Sequence, residues 1–262
     1  LVIDRLLKGC AKLLRGLYTA ATGMIHQREK LNTIANNLSN TNTRGYKKDS
    51  VVSHSFKDEL LLRTGGQTRE VKALGPLNHG VYAERIIPLF QDGPLEQTNQ
   101  YTDIALQGSG FFTILIDGQE FYTRDGTFRV DNEGILVTME GHRVAGEYGP
   151  IYVGQDDFHV DHEGNIWQDG QFINRLQLVD FEDATLLEKV GDNLFVNNSP
   201  EANPALAFEG ETFQGYVEAS NVDLLEEMSN MIIAARSYEA AQRVLQMIDS
   251  TLSKTVNEVG SV

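Results

Sequence analysis

Leu14, Leu17, Ala21, Met24, Arg28, Leu31, Ala35 and Leu38 follow one another at alternating steps of three and four. That spacing sets a mostly apolar stripe on one face and predicts a long helix over 14–38. Ser, Asn and Thr then crowd the chain up to Arg44-Gly45-Tyr46, which ends the helix. Near the other end Val222, Leu225, Met228, Ile232, Ala235, Tyr238, Ala241, Leu245, Ile248 and Leu252 repeat the pattern. Ser220 or Asn221 is the expected N-cap of this second helix, with Asp223, Glu226 and Glu227 in its positive first turns. Between the helices the period falls to two and turn dipeptides recur, as in antiparallel strands. GFFTILIDGQEFYTRDG reads as strand, Asp117-Gly118 turn, strand, then Asp125-Gly126. Phe128 to Gly134 is echoed by Phe158 to Gly164, so two similar β-turn units follow one another. LRTGGQTREVKALG reads as an exposed connector, VYAERIIPLF as a strand, and NNSPEANPALAFEGETF, with Pro200 and Pro204, as a loop.

The expected fold class is α+β: long N- and C-terminal helices pairing as a coiled-coil-like layer, with a central antiparallel β-rich domain. Arg28 and the small Ala21 and Ala35 interrupt the first stripe, so two helices alone bury little. Neighbouring molecules are the natural source of the missing burial, and an intramolecular helical hairpin over the β-domain is the other reading. The chain has 262 residues and a formal charge of −15, which opposes binding to nucleic acid or anionic lipid. Residues 1–50 carry +6 and the rest −21. The segment from Gln214 to Val262 holds seven acids and three bases, so opposite charge can attract the two ends to one another, and two solvated helix faces are the other reading. A lone cysteine, Cys10, excludes an internal disulfide framework. No apolar run is long enough to span a membrane, and LVIDRLLKGCAKLL lacks the apolar core and cleavage site of a cleaved signal.

Chemistry is sparse. Gly108-Ser109-Gly110 lacks the flanking pattern of a nucleophile elbow and reads as a tight turn. Asp131 and Asp161 lack the spaced oxygen ligands of a calcium loop and read as hairpin turns. His159 and His162 stand three apart in a strand-and-turn segment, which points them to opposite faces. No phosphate loop or dinucleotide fingerprint occurs. The expectation is no enzyme, no cofactor and no metal.

Leu14-Arg-Gly-Leu-Tyr-Thr-Ala-Ala-Thr-Gly-Met24, then Asn36-Asn-Leu-Ser-Asn40 with Thr43-x-Gly45-Tyr-Lys47, resembles the N-terminal signature of bacterial flagellar rod and hook proteins. Gly215-Tyr-Val-Glu-Ala-Ser-Asn-Val-Asp223, Glu227-Met-x-Asn-Met231 and Arg236-x-Tyr-Glu239 resemble the C-terminal one. Asp103-Ile-Ala-Leu-x-Gly-x-Gly-Phe-Phe112 and Tyr122-Thr-Arg-Asp-Gly126 are similar to the middle domain, so the likeness runs over about 14–255. It implies a structural subunit of the basal-body rod, self-assembling into a helical tube that carries torque from motor to hook. GEYGPIYVG and the segments from Asp169 to Phe195 are more similar to the proximal-rod member than to the distal one.

The implied organisation is 14–50 and 215–262 as the terminal helical domain, 51–100 as connector, 101–214 as β-rich outer domain, and 1–13 as an extension of unassigned status. The implied partners are further copies of the chain, other flagellar rod and hook proteins and the flagellar export apparatus, with no nucleic acid and no membrane insertion. Export across the inner membrane without a cleaved signal, into the periplasm or cell wall, goes with it. The implied assembly interface comprises Leu17, Ala21, Met24, Leu31, Asn36, Asn37, Leu38, Asn40, Thr43, Gly45 and Tyr46, with Glu218, Ser220, Asn221, Val222, Met228, Ile232, Tyr238, Leu245 and Ile248. The Asn/Thr run, Thr41 and Asn42 included, would fix how subunits step without repeating charges. Phe56 and Leu60 form a candidate export motif, although one turn of amphipathic helix has the same spacing. The alternative of another class is a secreted carbohydrate-active or cell-wall-binding β-domain with helical ends.

Overall fold

The computed structural model describes residues 2–63, 72–154 and 157–254, the side chains of 2–14, 59, 61–63, 72 and 74 apart. The side chains of Cys10 and Leu14 and the middle of LRTGGQTREVKALG fall outside that description. Helix α1 runs Val2–Ser39 and helix α2 runs Leu224–Lys254, with short antiparallel strands between them. The chain divides into two compact units: Leu1–Asn36, Asp49–Ile87 and Leu225–Val262 form one, Asn37–Lys48 and Pro88–Leu224 the other.

In the first unit, strands Asp49–Ser55 and Val81–Pro88 lie side by side, and Glu59–Arg63 pairs with Lys72–Leu77. The expected connector is therefore strand at both described ends. Its β-branched and aromatic residues serve a half-buried sheet on which α1 rests. Tyr18 of α1 meets Phe56 at 6.0 Å between ring centroids, Phe56 meets Tyr82 at 5.2 Å, and Thr19 Oγ1 donates to the His79 carbonyl at 3.3 Å. Phe56 lies in a link between strands and Leu60 is an exposed strand residue. The helical-turn explanation of their spacing does not hold in the folded chain.

The stripe of α2 corrects the sequence reading. From Tyr238 onward the expected seam residues Tyr238, Ala241, Leu245, Ile248 and Leu252 are half-buried, and Gly16 of α1 stands against Ile248, since a Cβ there would lie 3.4 Å from Ile248 Cδ1. Before Tyr238 the covered side is Glu227, Met231 and Ala234, with the expected Ala235 half-buried beside them, while Leu225, Met228 and Ile232 face solvent. Both series have the same three-four spacing, so periodicity alone did not choose between stripes about 100° apart. Nor does Ser220 or Asn221 cap the helix. It starts at Leu224, beyond both residues and beyond Val222.

In the second unit, the main antiparallel sheet runs in the order Glu188–Gly191, Leu194–Val196, Gln119–Thr123, Phe111–Ile116, Arg143–Gly146, Leu136–Thr138 and Phe128–Val130. The Asp117-Gly118 turn that joins two of these strands has φ of 51° and 82° at its centre, both left-handed, as a two-residue hairpin requires. The expected loop around Pro200 and Pro204 holds two short strands: Ala205–Ala207 pairs with Leu178–Phe181, and Glu211–Gln214 with Ile104–Gln107. The sequence echo has one geometry. Asp131 Oδ1 accepts from the amides of Glu133 and Ile135, Asp161 Oδ1 from those of Glu163 and Asn165, and Gly134 and Gly164 have φ of 80° and 81°.

One core gathers Ile104, Phe112, Ile114, Leu136, Ile151, Ile166 and their neighbours; a second gathers Phe111, Tyr122, Val179, Phe181, Leu187 and Phe195. Burial of Tyr122 against Phe181, 4.9 Å between ring centroids, and the nearby Glu120 carboxylate push the phenol up to about 12. Unfolded tyrosine ionises near ~10. The stabilisation from this protonated phenol should therefore be whole below about pH 10 and lost as pH rises through about 12. Phenolate absorbance of the wild type minus that of Tyr122→Phe should show a step near the upper value.

Candidate functional site

The Asn/Thr run ends α1 by answering its last carbonyls. Asn40 N donates to Asn37 O at 3.1 Å, Thr41 Oγ1 to Leu38 O at 2.9 Å, and Thr43 N to Asn40 O at 3.1 Å. Thr43 Oγ1 donates to Asn40 Oδ1 at 3.1 Å, and the buried Asn37 accepts from the Tyr46 hydroxyl at 3.2 Å. Much of the hydrogen-bonding capacity that the sequence displays is thus used within one chain, where the last helical carbonyls need donors.

Beyond this run lies a buried ionic knot. Lys47 Nζ sits 2.6 Å from Glu218 Oε1 and donates to the Gln91 carbonyl at 2.8 Å; Gly93 N donates to the same Glu218 oxygen at 2.7 Å. Arg124 brings Nη1 to 3.5 Å from Glu218 Oε2 and Nη2 to 3.6 Å from Asp92 Oδ1, while its guanidinium lies 5.2 Å from the Phe111 ring centre. Arg124, Lys47 and Glu218 are at most 2% exposed, and Asp92 is half exposed. Two cations thus face two carboxylates, and the knot is neutral. Burial pushes both the Lys47 ammonium and the Arg124 guanidinium below their ordinary ranges, with Glu218 pulling each back up.

The backbone closes around these charges. Gly45 N donates to the Glu218 carbonyl at 2.7 Å, and Gly45 adopts φ of 64° where a Cβ would come 2.5 Å from the Arg124 carbonyl carbon. Asn221 accepts from Lys48 N at 2.7 Å and donates to the carbonyls of Leu89 and Gln91 at 2.8 and 3.0 Å. Ser220 Oγ accepts from Val222 N at 3.3 Å. The segment leaving α1, the segment leading to α2 and the β-strands are thereby joined at one place within the second unit.

The structure divides the expected interface residues. Asn37, Gly45, Tyr46, Glu218, Ser220 and Val222 are buried in the single chain, with Asn40, Thr43 and Asn221 half-buried beside them. Leu17, Ala21, Met24, Leu31 and Leu38 are half-buried along α1, Tyr238, Leu245 and Ile248 along α2, and Asn36 is exposed. Met228 and Ile232 are 45% and 55% exposed, and Leu225, Ile233, Val244 and Met247 are exposed along the same helix. Sequence reasoning did not single out Arg124, Lys47 and Asp92, nor the buried Thr33 and Ile34 of α1. The first two stood inside the quoted motifs, and the signal was a charged residue within an otherwise apolar or glycine-bearing stretch.

The serine and histidines that the sequence offers have separate partners. Ser109 Oγ donates to Asp180, His159 meets Gln214 and His162 the Thr212 carbonyl, so the two histidines serve separate partners. Among the described residues no group of three or more His, Cys, Asp or Glu is placed to hold a metal ion, and no helix is long and apolar enough to cross a membrane.

Three family models match the chain. Residues 17–47 match that of flagella basal body rod proteins, 105–172 the flagellar hook protein FlgE/F/G D1 domain, and 214–258 the flagellar basal body rod FlgEFG protein C-terminal model. Flagellar basal-body rod protein FlgG of Borreliella burgdorferi is 33% identical, the match covering 92% of this chain and 97% of that protein. Flagellar hook-basal body complex protein FlhO of Bacillus subtilis is 30% identical over 95% of this chain and all of that protein. Flagellar basal-body rod protein FlgF of Caulobacter vibrioides is 30% identical over 94% and 98%. The three models fall on the two ends that meet at the knot and on the segment that supplies Arg124, just past the strand Gln119–Thr123.

Proposed function

The chain belongs to the flagellar basal-body rod proteins, and from that premise we propose that it is a structural subunit of the rod that self-assembles into a helical tubular shaft carrying torque from motor to hook. The observation that carries the self-assembly is the apolar surface of α2. Leu225, Met228, Ile232 and Ile233 are 43–77% exposed together with the neighbouring Leu224, more apolar area on one short stretch than water tolerates at little cost. In a lattice of copies each subunit buries that surface against neighbours through contacts that repeat without closing. The half-buried stripe from Tyr238 to Leu252, with Gly16 against Ile248, supports pairing of α1 and α2 as a coiled-coil-like layer in the shaft.

Within this reading 14–50 and 215–262 form the axial part and 101–214 the outer part. Leu17, Ala21, Met24, Leu31, Leu38, Tyr238, Leu245 and Ile248 supply the helix contacts, and Met228 and Ile232 the contacts between copies. Asn37, Gly45, Tyr46, Glu218, Ser220 and Asn221 contribute indirectly, by tying the segment after α1 to the segment before α2 within the second unit, while Asn36 is exposed. The relatives carry the names of more than one rod protein at like identity, so a proximal position rests on the segments around Gly146 and Asp169 alone. Phe56 and Leu60 are the proposed signal read by the export apparatus, which handles the chain before it folds.

Truncation after Val222 tests this function. In cells lacking the gene, the full chain should restore swimming and the truncated chain should not, although the truncated chain remains detectable. Normal swimming with the truncated chain would overturn the proposal.

A further inference from the structure

The charge of the chain is sorted between its two units. The first, 1–36, 49–87 and 225–262, holds 14 basic and 12 acidic residues, a formal +2; the second, 37–48 and 88–224, holds eight basic and 25 acidic, a formal −17. The ionic knot takes nothing from this excess, since Lys47 and Arg124 balance Glu218 and Asp92. Outside the knot the second unit keeps six bases, Arg44, Lys48, Arg129, Arg143, Arg175 and Lys189, against 23 acids, so pairing every one of the six still leaves −17. The exposed apolar residues assigned above to contacts between copies, Leu225, Met228, Ile232 and Ile233, all belong to the first unit. What attracts copies and what repels them are thus carried by different parts of one chain.

The two parts cannot be separated when copies join. The chain passes between the units four times, after residues 36, 48, 87 and 224, so wherever first units gather, second units gather with them. A net charge far from zero keeps copies apart in solution. That repulsion reaches ~30 Å in about 0.01 M salt and only ~10 Å in about 0.1 M, whereas the burial of apolar area is no charge interaction and is not screened. We infer that the second unit sets an electrostatic threshold on assembly: free chains stay apart at low ionic strength and join through their first units once salt screens the acidic second units. The inference rests on the self-assembly proposed above and adds the condition under which copies join.

The test measures, by sedimentation, the lowest concentration of purified full chain that forms polymer in about 0.01 M and about 0.1 M sodium chloride at neutral pH. It does so for the wild type and for a variant in which Glu140, Glu147, Glu182, Glu201 and Glu209 are all changed to Gln. These five are exposed, and their replacement takes the second unit from −17 to −12. Surface changes of this kind alter stability little, so the variant monomer should melt with the wild type; should it melt earlier, the wild-type comparison between salts still decides. The wild-type threshold should fall at least about tenfold from the lower salt to the higher. In the lower salt the variant should polymerise at a concentration several-fold below the wild type's, and its fall with salt should be smaller. A wild-type threshold that is equal in both salts overturns the inference alone. So does a folded variant with the wild-type fall, which would mean that salt acts on the apolar contacts and not on these charges. Absence of polymer from the wild-type chain in either salt overturns the self-assembly reading and the threshold with it.

Discussion

Glu218→Ala should destabilise the second unit by about 3–5 kcal/mol, the usual consequence of removing one partner from a buried ion pair. Lys47 and Arg124, each no more than 1% exposed at the side chain, would be left facing one another without their buried carboxylate, with the half-exposed Asp92 and, for Arg124, the Asp180 carboxylate as the remaining opposite charges. The amide of Gly93 and the ammonium of Lys47 would lose their shared acceptor, Oε1. A midpoint fall of about 2–4 °C per kcal/mol makes the expected loss about 6–20 °C, read by near-ultraviolet circular dichroism. Loss of attraction, not of packing volume, is the cause, so Lys47→Met should cost less in the Glu218→Ala background than in the wild type. Additive costs would show that the two charges do not depend on one another.

Gly45→Ala should cost about 2–6 kcal/mol through two separate effects. The left-handed φ of 64° strains any residue with a Cβ, and the added carbon would press on backbone atoms of Arg124 and Asp125 at 2.5 Å. Gly170→Ala separates the effects: its φ is 74° with no atom within 4 Å of the added carbon, so strain alone should cost it about 1 kcal/mol. The difference between the variants measures how tightly the turn after α1 is set against the link that carries Arg124 and Asp125. Equal losses in urea unfolding would mean that the turn is loosely seated.

Both helices were legible because a three-four repeat over many turns has no other regular explanation, and the hairpin at Asp117-Gly118 because few residues tolerate its dihedrals. The side that α2 covers before Tyr238 was not, since Glu227 sits inward where an apolar residue was expected and Leu225, Met228 and Ile232 sit outward. The strand Ala205–Ala207 was hidden by its length and by Pro204. Local sequence was silent on the ionic knot, whose members at positions 47, 92, 124 and 218 come together only through the fold. What the sequence did show was the quoted motifs in which Lys47, Arg124 and Glu218 stand, together with the glycine beside them. The Asn/Thr run drew attention for its hydrogen-bonding capacity, and much of that capacity turned out to close α1 within a single chain.

The most direct measurement is the labelling rate of a cysteine placed at Leu225, Met228 or Ile232, one at a time, in a chain whose Cys10 is replaced by alanine. In the monomer these positions, 45–77% exposed, should react quickly with a maleimide. In isolated basal bodies of cells that swim with the same variant they should react at least tenfold more slowly. Equal rates in monomer and basal body would show that the exposed face of α2 stays in water, and that copies are not joined through it.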